Sequence, residues 1–544
     1  MRPRLIKKLK DLLIQSQKPR WTGRKSPMPS RPAQPEGDPD KVWEPSELEK
    51  TPVSADLEEN LRLLRELLGQ NTDFVIRELA IGPRKTPAAV AYFAPLVDGA
   101  KISDHVLRGL TTDCPQDLKI SLASIAERAV TLAGVEEAGD LWAVSDGLLG
   151  GRAMLFVSGE DRALELRVRG YEGRAVQESS TESVVRGPRD AFVENVGRNM
   201  MLVRQRIRTP NLVLERFYFG RLTRTSVVVG YIKGLAAPDL VREVRERLER
   251  IDVDALLASN FIEEVLADNP YSPFPQALAT ERPDRIAAYL AEGKVMLIVD
   301  TTPFVLIVPA TLPMLLQSPE DYYHPFGIST VIRWLRYLAF VVSLIVSPLY
   351  VAITTFHQEM IPFELLLNIA GAREGVPLPA ALEALLMEGT FELLREAGIR
   401  LPRSVGQAIS IVGALVIGQS AVTAGLVSPQ MVIVVALAGI SSFASPSYEL
   451  AIPLRLLRFP LIFLAASLGL FGVTTGVLAI IIHLAGLRSF GVPYLSPLAP
   501  LKFNELKDVL VRAPLWAMRT RPGTSKRNWH RMAPGLKPGP PEDK

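Results

Sequence analysis

The first half of the chain alternates between two hydrophobic periods. In SADLEENLRLLRELLGQ, Leu57, Leu61, Leu64 and Leu68 recur at helical spacing, which predicts a helix capped by Ser54. FVIRELAIG and AAVAYFAPLVDG then read as strands joined by a turn around Pro83, and SLASIAERAVTLAG reads as a further helix. Together these predict a compact α/β unit over 51–150. GRAMLFVSGEDRALELRVRG has two alternating runs flanking Gly159 and Asp161, the pattern of a hairpin, and it opens a second α/β unit over 151–320. RDAFVENVGRNMMLVRQRI continues that unit as a helix, RTSVVVGYIKG as a strand and APDLVREVRERLERID as a helix. The run KVMLIVDTTPFVLIVPATL is long enough to raise a membrane-span reading, but Asp300, Thr301, Thr302 and Pro303 interrupt its middle. It is read as a hairpin closing the soluble part.

Beyond Arg336 the pattern loses its charge. Residues 337–356 carry no charged side chain and are flanked by Arg333 and Arg336, which predicts a spanning helix. Residues 404–448 are also uncharged and break at AGLVSPQ, so they read as two spans joined by a tight turn. Residues 459–485 supply another long span, with only His483 to interrupt it. Segments 361–371 and 380–398 are less clear-cut, and the expectation is an all-α polytopic membrane domain of four to six spans over 321–487. Residues 357–403 hold seven Glu and four Arg, a balance that places this loop outside if the N-terminal half is cytoplasmic. Arg455 and Arg458 then fall on the wrong side of a four-span arrangement, which points to a re-entrant or additional span.

The fold class is therefore α+β: a cytosolic two-part α/β region followed by a helical membrane domain. Its ends are set apart by composition. Residues 1–50 read as a basic, Pro-rich disordered tail, and their amphipathic start, MRPRLIKKLKDLLIQSQ, suits a membrane surface but is too broken for a signal peptide. Residues 488–544 read as a basic, loosely ordered C-terminal tail. Across 544 residues the net charge of +4 is too small and dispersed to argue for nucleic acid. A single cysteine, Cys114, excludes an internal disulfide.

No enzyme constellation is found. His357 and Glu359 stand two apart with no second His in register for a zinc site, and phosphate-cradling loops are absent. No cofactor or metal is expected.

Three long stretches carry a resemblance. The run from HQEMIPFELLLNIAGAREGVPLPAALEALL through SSFASPSYELAIPLRLLRFP resembles the GerA family, the A subunits of bacterial spore germinant receptors. GPRDAFVENVGRNMMLVRQRIRTPNL and LIVPATLPMLLQSPEDYYHPF resemble the same family, and the likeness covers about 57–501. It implies a multi-pass protein of the spore inner membrane with its N-terminal domain cytoplasmic. Its partners would be a transporter-like B subunit and a lipoprotein C subunit, and its homo-oligomer would form a nutrient-gated ion pathway that triggers germination. The resemblance also admits a relative encoded with the SpoVA proteins and acting in dipicolinate or ion release. A secondary transporter is the alternative from another class, but no paired broken helices support it.

Two groups of residues are candidates for an ion pathway. Glu388, Glu392 and Glu396 are spaced by four, so on a helix they form one stripe. In a ring of subunits that stripe would repeat as rings of negative charge that attract cations; on a solvated face it would only pair with neighbouring arginines. The second group, Ser441, Ser442, Ser445 and Glu449, surrounds a proline break at the end of an apolar span, where freed carbonyls must find partners.

Overall fold

The computed structural model describes residues 41–521 and 531, except 83–84, 113–120, 133, 171–177, 180, 183, 401–415 and 417. Residues 1–40, most of the expected N-terminal tail, lie outside the described residues, as do Cys114, the turn at Pro83 and much of the first span expected within 404–448.

Two five-stranded antiparallel sheets build the soluble part. The first takes β1 (Phe74–Ile81), β2 (Thr86–Phe93), β3 (Val135–Ala138), β4 (Ala153–Val157) and β5 (Ala163–Leu166), in the order β1-β2-β4-β5-β3. The second takes β6 (Leu212–Phe219), β7 (Thr225–Ile232), β8 (Leu278–Thr280), β9 (Val295–Val299) and β10 (Val305–Val308), in the order β6-β7-β9-β10-β8. Strand periodicity assigns each face. Ala89, Ala91, Phe93, Met154 and Phe156 of the first sheet face the same core as Leu212, Leu214, Val228, Met296 and Ile298 of the second. Alternate residues, such as Val90 and Leu155 or Val229 and Leu297, pack into separate outer layers.

Helices fill the shared core. They are α1 (Leu57–Leu68), α3 (Leu141–Leu149), α4 (Val196–Arg206) and α7 (Pro283–Ala291). The outer layers hold α2 (Leu122–Arg128), α5 (Pro238–Glu249) and α6 (Ser259–Leu266). Asp56, not Ser54, caps α1: its carboxylate accepts from Glu58 N at 3.0 Å, while the Ser54 hydroxyl accepts from Asp56 N one step upstream. The two sheets are stitched by Arg204 of α4, fully buried, which donates to Asp73 Oδ2 at 2.6 Å and Oδ1 at 2.7 Å and to Asn71 Oδ1 at 2.8 Å. Asn71 Oδ1 in turn accepts from Leu214 N of the second sheet at 2.9 Å.

The expected division at Gly150 cuts through a sheet. The hairpin β4–β5 forms as predicted, but β4 pairs with β2 and β5 with β3, so it completes the first sheet instead of opening a second unit.

The helical part follows with α8 (Phe326–Phe356), α9 (Phe363–Arg373), α10 (Ala380–Arg400), α11 (Pro429–Phe443) and α12 (Tyr448–Gly486). Two of these, α8 and α12, are long and apolar enough to cross a membrane. α12 is not one straight rod. Gly469 has φ 61 and ψ −141, and a Cβ placed on Gly476 would sit 2.4 Å from Leu461 Cδ2. In a straight helix those two positions would stand ~22 Å apart. The single span expected over 459–485 is instead two antiparallel arms folded at Gly469, whose positive φ only glycine adopts readily.

The expected loose tail also needs correction, because the chain from Arg488 to about Met518 is tied down. Ser489, Tyr494 and Arg512 are buried, and the Asp508 region straps the base of α8. Arg333 donates to Asp508 Oδ1 at 3.4 Å, Trp334 Nε1 to Leu510 O at 2.8 Å and Tyr322 Oη to Asp508 Oδ2 at 2.8 Å. Backbone acceptors and one carboxylate, not apolar periodicity, hold this strap.

Candidate functional site

Charged side chains gather inside the helical part. Glu388 on α10 is 1% exposed; it accepts from Ser347 Oγ of α8 at 2.6 Å and from Arg458 Nη1 of α12. One helical turn along, Glu392 Oε2 accepts from Arg455 Nη1 at 2.9 Å. The pairs form because Glu388 and Glu392 are one turn apart on α10, as Arg455 and Arg458 are on the antiparallel first arm of α12. Arg395 lies over the rings of Phe443 (4.7 Å) and Tyr448 (5.6 Å), a cation–π arrangement.

The three glutamates of the expected stripe therefore separate. Glu388 and Glu392 turn into the helical part, where Arg458 and Arg455 compensate them, and Glu396 alone of the three is exposed, beside Arg400 at 2.6 Å. They do not form one open acidic face within the chain. The physical reason is that an uncompensated carboxylate among apolar helices costs far more than a paired one, and α12 supplies the partners.

At the opposite end of α10, Glu383 is fully buried and accepts from both the backbone N–H and the hydroxyl of Ser428. It thereby neutralises the N-terminus of α11, with Arg373 Nε 3.9 Å from its second oxygen.

The second candidate group sits where the helix breaks. α11 ends at Phe443 and α12 starts at Tyr448, with Ser447 before it. Ser442 Oγ donates to Gly439 O at 2.7 Å and Ser445 Oγ to Ser447 O at 3.1 Å, so these hydroxyls bond local carbonyls; Ser441 is also buried. Glu449 leaves this cluster and faces the soluble part. With Glu263, Glu264 and Asn260 of α6 it lines a cavity of about 310 Å³, and burial pushes the Glu263 carboxyl up to about 7. Among the described residues no group of three or more His, Cys, Asp or Glu could hold a metal ion.

Sequence reasoning missed the partners. Arg455 and Arg458 registered only as a topological conflict, and Ser347, Glu383 and Glu263 gave no signal, because their meaning depends on which helices become neighbours.

Two antiparallel sheets around one core, joined to a helical part with a charged interior and apolar arms, define a two-part protein of soluble head and apolar helical base. The model of the Bacillus/Clostridium GerA spore germination protein family matches residues 62–524. Spore germination protein KA of Bacillus subtilis (strain 168) is 43% identical over 490 residues, 90% of each chain. The uncharacterized membrane protein YfkQ of the same strain is 42% identical over 476 residues, 88% of this chain and 92% of its own. Spore germination protein GerLA of Bacillus cereus is 37% identical over 470 residues, 86% of this chain and 96% of its own. Among solved structures, the N-terminal domain of the A subunit of the Bacillus megaterium spore germinant receptor GerK3 is 36% identical. It covers 48% of this chain and 98% of its own, with a TM-score of 0.39. The chain belongs to the GerA spore germination protein family.

Proposed function

We propose that the chain acts in spore germination as the A subunit of a germinant receptor, a multi-pass membrane protein whose oligomer carries ions when a nutrient is sensed. Its partners on this reading are a transporter-like B subunit and a lipoprotein C subunit in the spore inner membrane. The observation that carries the membrane reading is the inverted polarity of the helical part. Leu393, Ile433, Ile440, Phe463, Phe471 and Ile482 are exposed by 64–74%, while Glu383, Glu388, Arg455 and Arg458 are buried. Water would reverse that arrangement; hydrocarbon favours it.

On this reading the helical part makes six passes, with both ends on the side of the soluble part. α8, α10, α11 and the two arms of α12 give five passes. Arg400 and Ser428 stand at opposite ends of α10, since Ser428 bonds Glu383 near that helix's start. The conflict over Arg455 and Arg458 then dissolves: both lie toward the soluble side with Arg333, Arg336, Arg395 and Arg400. The opposite loop over 357–379 carries Glu359, Glu364 and Glu374 against Arg373. With Glu388 and Glu392 neutralised internally, Glu396 is the member of the stripe left to meet an aqueous path.

Ion flux into liposomes containing the purified protein, with and without its partner subunits, tests the reading. Absence of flux in the complete complex, or unaltered germination of spores lacking the gene, would overturn it.

A further inference from the structure

The helical part grips the soluble part at one sheet edge. β8 is an outermost strand of the second sheet, so its outer backbone groups have no strand beyond them. Glu449, in the first turn of α12, lines a cavity with Ser272, Phe274 and Gln276, on the segment that leads into that strand. The other end of α12 reaches the same segment: His483 Nε2 lies 2.8 Å from Ser272 Oγ. Just beyond, Ser489 Oγ donates to Gln276 O at 2.7 Å and Tyr494 Oη to Pro275 O at 2.8 Å. Both ends of the folded helix thus close on residues 272–276.

Inside this joint two carboxylates share one cavity. Glu263 comes from α6 and Glu449 from α12, with Ile452 and Pro453 completing the helical wall, and Glu449 Oε2 is buried without a hydrogen-bond partner. The other charged or titratable groups toward the pair are few. Glu264 lies on α6, Glu182 and Arg285 on the soluble side, His483 on the second arm of α12 and Tyr494 on the chain that follows it. Asp268 is held by Arg247 at 2.5 Å. Arg285 is committed to Glu182 Oε1 at 3.0 Å and to Gln317 O at 3.1 Å, which leaves the two carboxylates without a bonded cation among the described residues.

We propose that Glu263 and Glu449 share a single proton across this cavity, and that the shared proton latches α12 to the soluble part. With one carboxyl protonated, its O–H donates to the neighbouring carboxylate, directly or through a water, and the walls stay together. With both ionised, two like charges face each other in a partly dehydrated space, and α6 and the start of α12 separate. The pH window follows from the geometry of burial. The Glu263 carboxyl stands near 7 against an ordinary 4.5, so the pair takes on its first charge as pH rises through about 7 and its second only above that; the latch holds up to about 7 and is lost at higher pH. On the receptor reading, this places a proton-operated contact between sensor and membrane helices; the latch itself is measured without reference to germination or flux.

Hydrogen exchange of the purified full chain in a nonionic micelle tests it, with intrinsic exchange rates divided out. Protection over 259–276 and 447–453 should hold up to about pH 7 and fall between there and about pH 9, by up to about tenfold per pH unit within the window. Glu449→Gln and Glu263→Gln keep a hydrogen-bonding amide and remove the charge, so each should hold the joint protected at the higher pH. Glu264→Gln, on an exposed position of the same wall, should keep the parent's pH dependence. Parental pH dependence in both Gln variants, or a parent whose protection does not change with pH, overturns the latch. If Glu449→Gln loses protection in the sheets and so fails to fold, Glu263→Gln alone decides.

Discussion

Breaking the Glu388–Arg458 pair is the sharpest probe of the helical part. The two side chains are 2% and 1% exposed, and Glu388 also accepts from Ser347 Oγ at 2.6 Å. Glu388→Gln keeps volume and an acceptor but leaves Arg458 as a buried cation, whose other hydrogen-bonded acceptor is Ala438 O at 3.5 Å. Removing one partner of such a pair costs about 3–5 kcal/mol, because the remaining charge keeps its desolvation penalty. Arg458→Met should cost a similar amount by leaving the carboxylate alone. Replacing both, Glu388→Met with Arg458→Met, removes two desolvation penalties together, so the double variant should recover most of the loss or exceed the parent by about 1–4 kcal/mol. Reversible denaturation of the micelle-solubilised protein measures all three against the parent as a double-mutant cycle. Single variants within about 1 kcal/mol of the parent, or losses that simply add, would show that the pair does not hold α10 to α12.

Three further outcomes are expected. Cysteines introduced at Leu461 and Gly476, with Cys114 replaced, should form a disulfide under mild oxidation, since a Cβ at Gly476 lies 2.4 Å from the Leu461 side chain; a straight α12 would yield none. Lys294 is buried and donates to Pro309 O at 2.9 Å, and burial lowers its ammonium to about 8 from 10.5, with Glu292 opposing. The folded state therefore binds fewer protons than the unfolded one in that window, so stability should rise with pH from about 8 to 10.5, and Lys294→Met should lose that slope in melts across pH. Asp508→Ala removes the acceptor of Tyr322 Oη at 2.8 Å and of Arg333, and limited proteolysis should then cut the strap over 498–518 faster than in the parent.

The elements of the soluble part were legible wherever a period ran unbroken. α1, β1, the β4–β5 hairpin, α4, β7, α5 and the β9–β10 hairpin all fall inside the segments read from the sequence, and β2 starts two residues ahead of its own and ends at Phe93 within it. Their grouping was not legible, because β4 pairs with β2 across the stretch that holds α2, β3 and α3, and strand pairing over that distance leaves no mark on local periodicity. β8 is only three residues long, below the reach of any period, yet the segment leading into it is where α12 docks. The acidic stripe was legible as a stripe, but its direction was not. Spacing puts Glu388 and Glu392 on one face of α10; only the neighbouring Arg455 and Arg458 turn that face inward. The fold at Gly469 was hidden in the same way, since an uninterrupted apolar run reads identically whether it is straight or doubled back.

These missed features share one cause, and it bears on how the two parts of the chain communicate. Each depends on a contact distant in sequence, and in the helical part several of these are polar contacts that bind apolar helices to something beyond them. Arg333 and Arg336 at the base of α8 both reach Asp321, at 3.1 Å each, and Arg333 continues to Asp508. Glu449 and His483 bring both ends of α12 to residues 272–276. β8 pairs directly with β10, and β10 with β9, so the contact at α12 sits two strands from the middle of the second sheet. Hydrogen-bonded and charged contacts add a directional requirement to the apolar packing between helices and head, because each needs its partner in place. The second sheet is therefore tied to α12 beside its edge strand, and the strap to the base of α8, by hydrogen-bonded contacts between segments far apart in sequence.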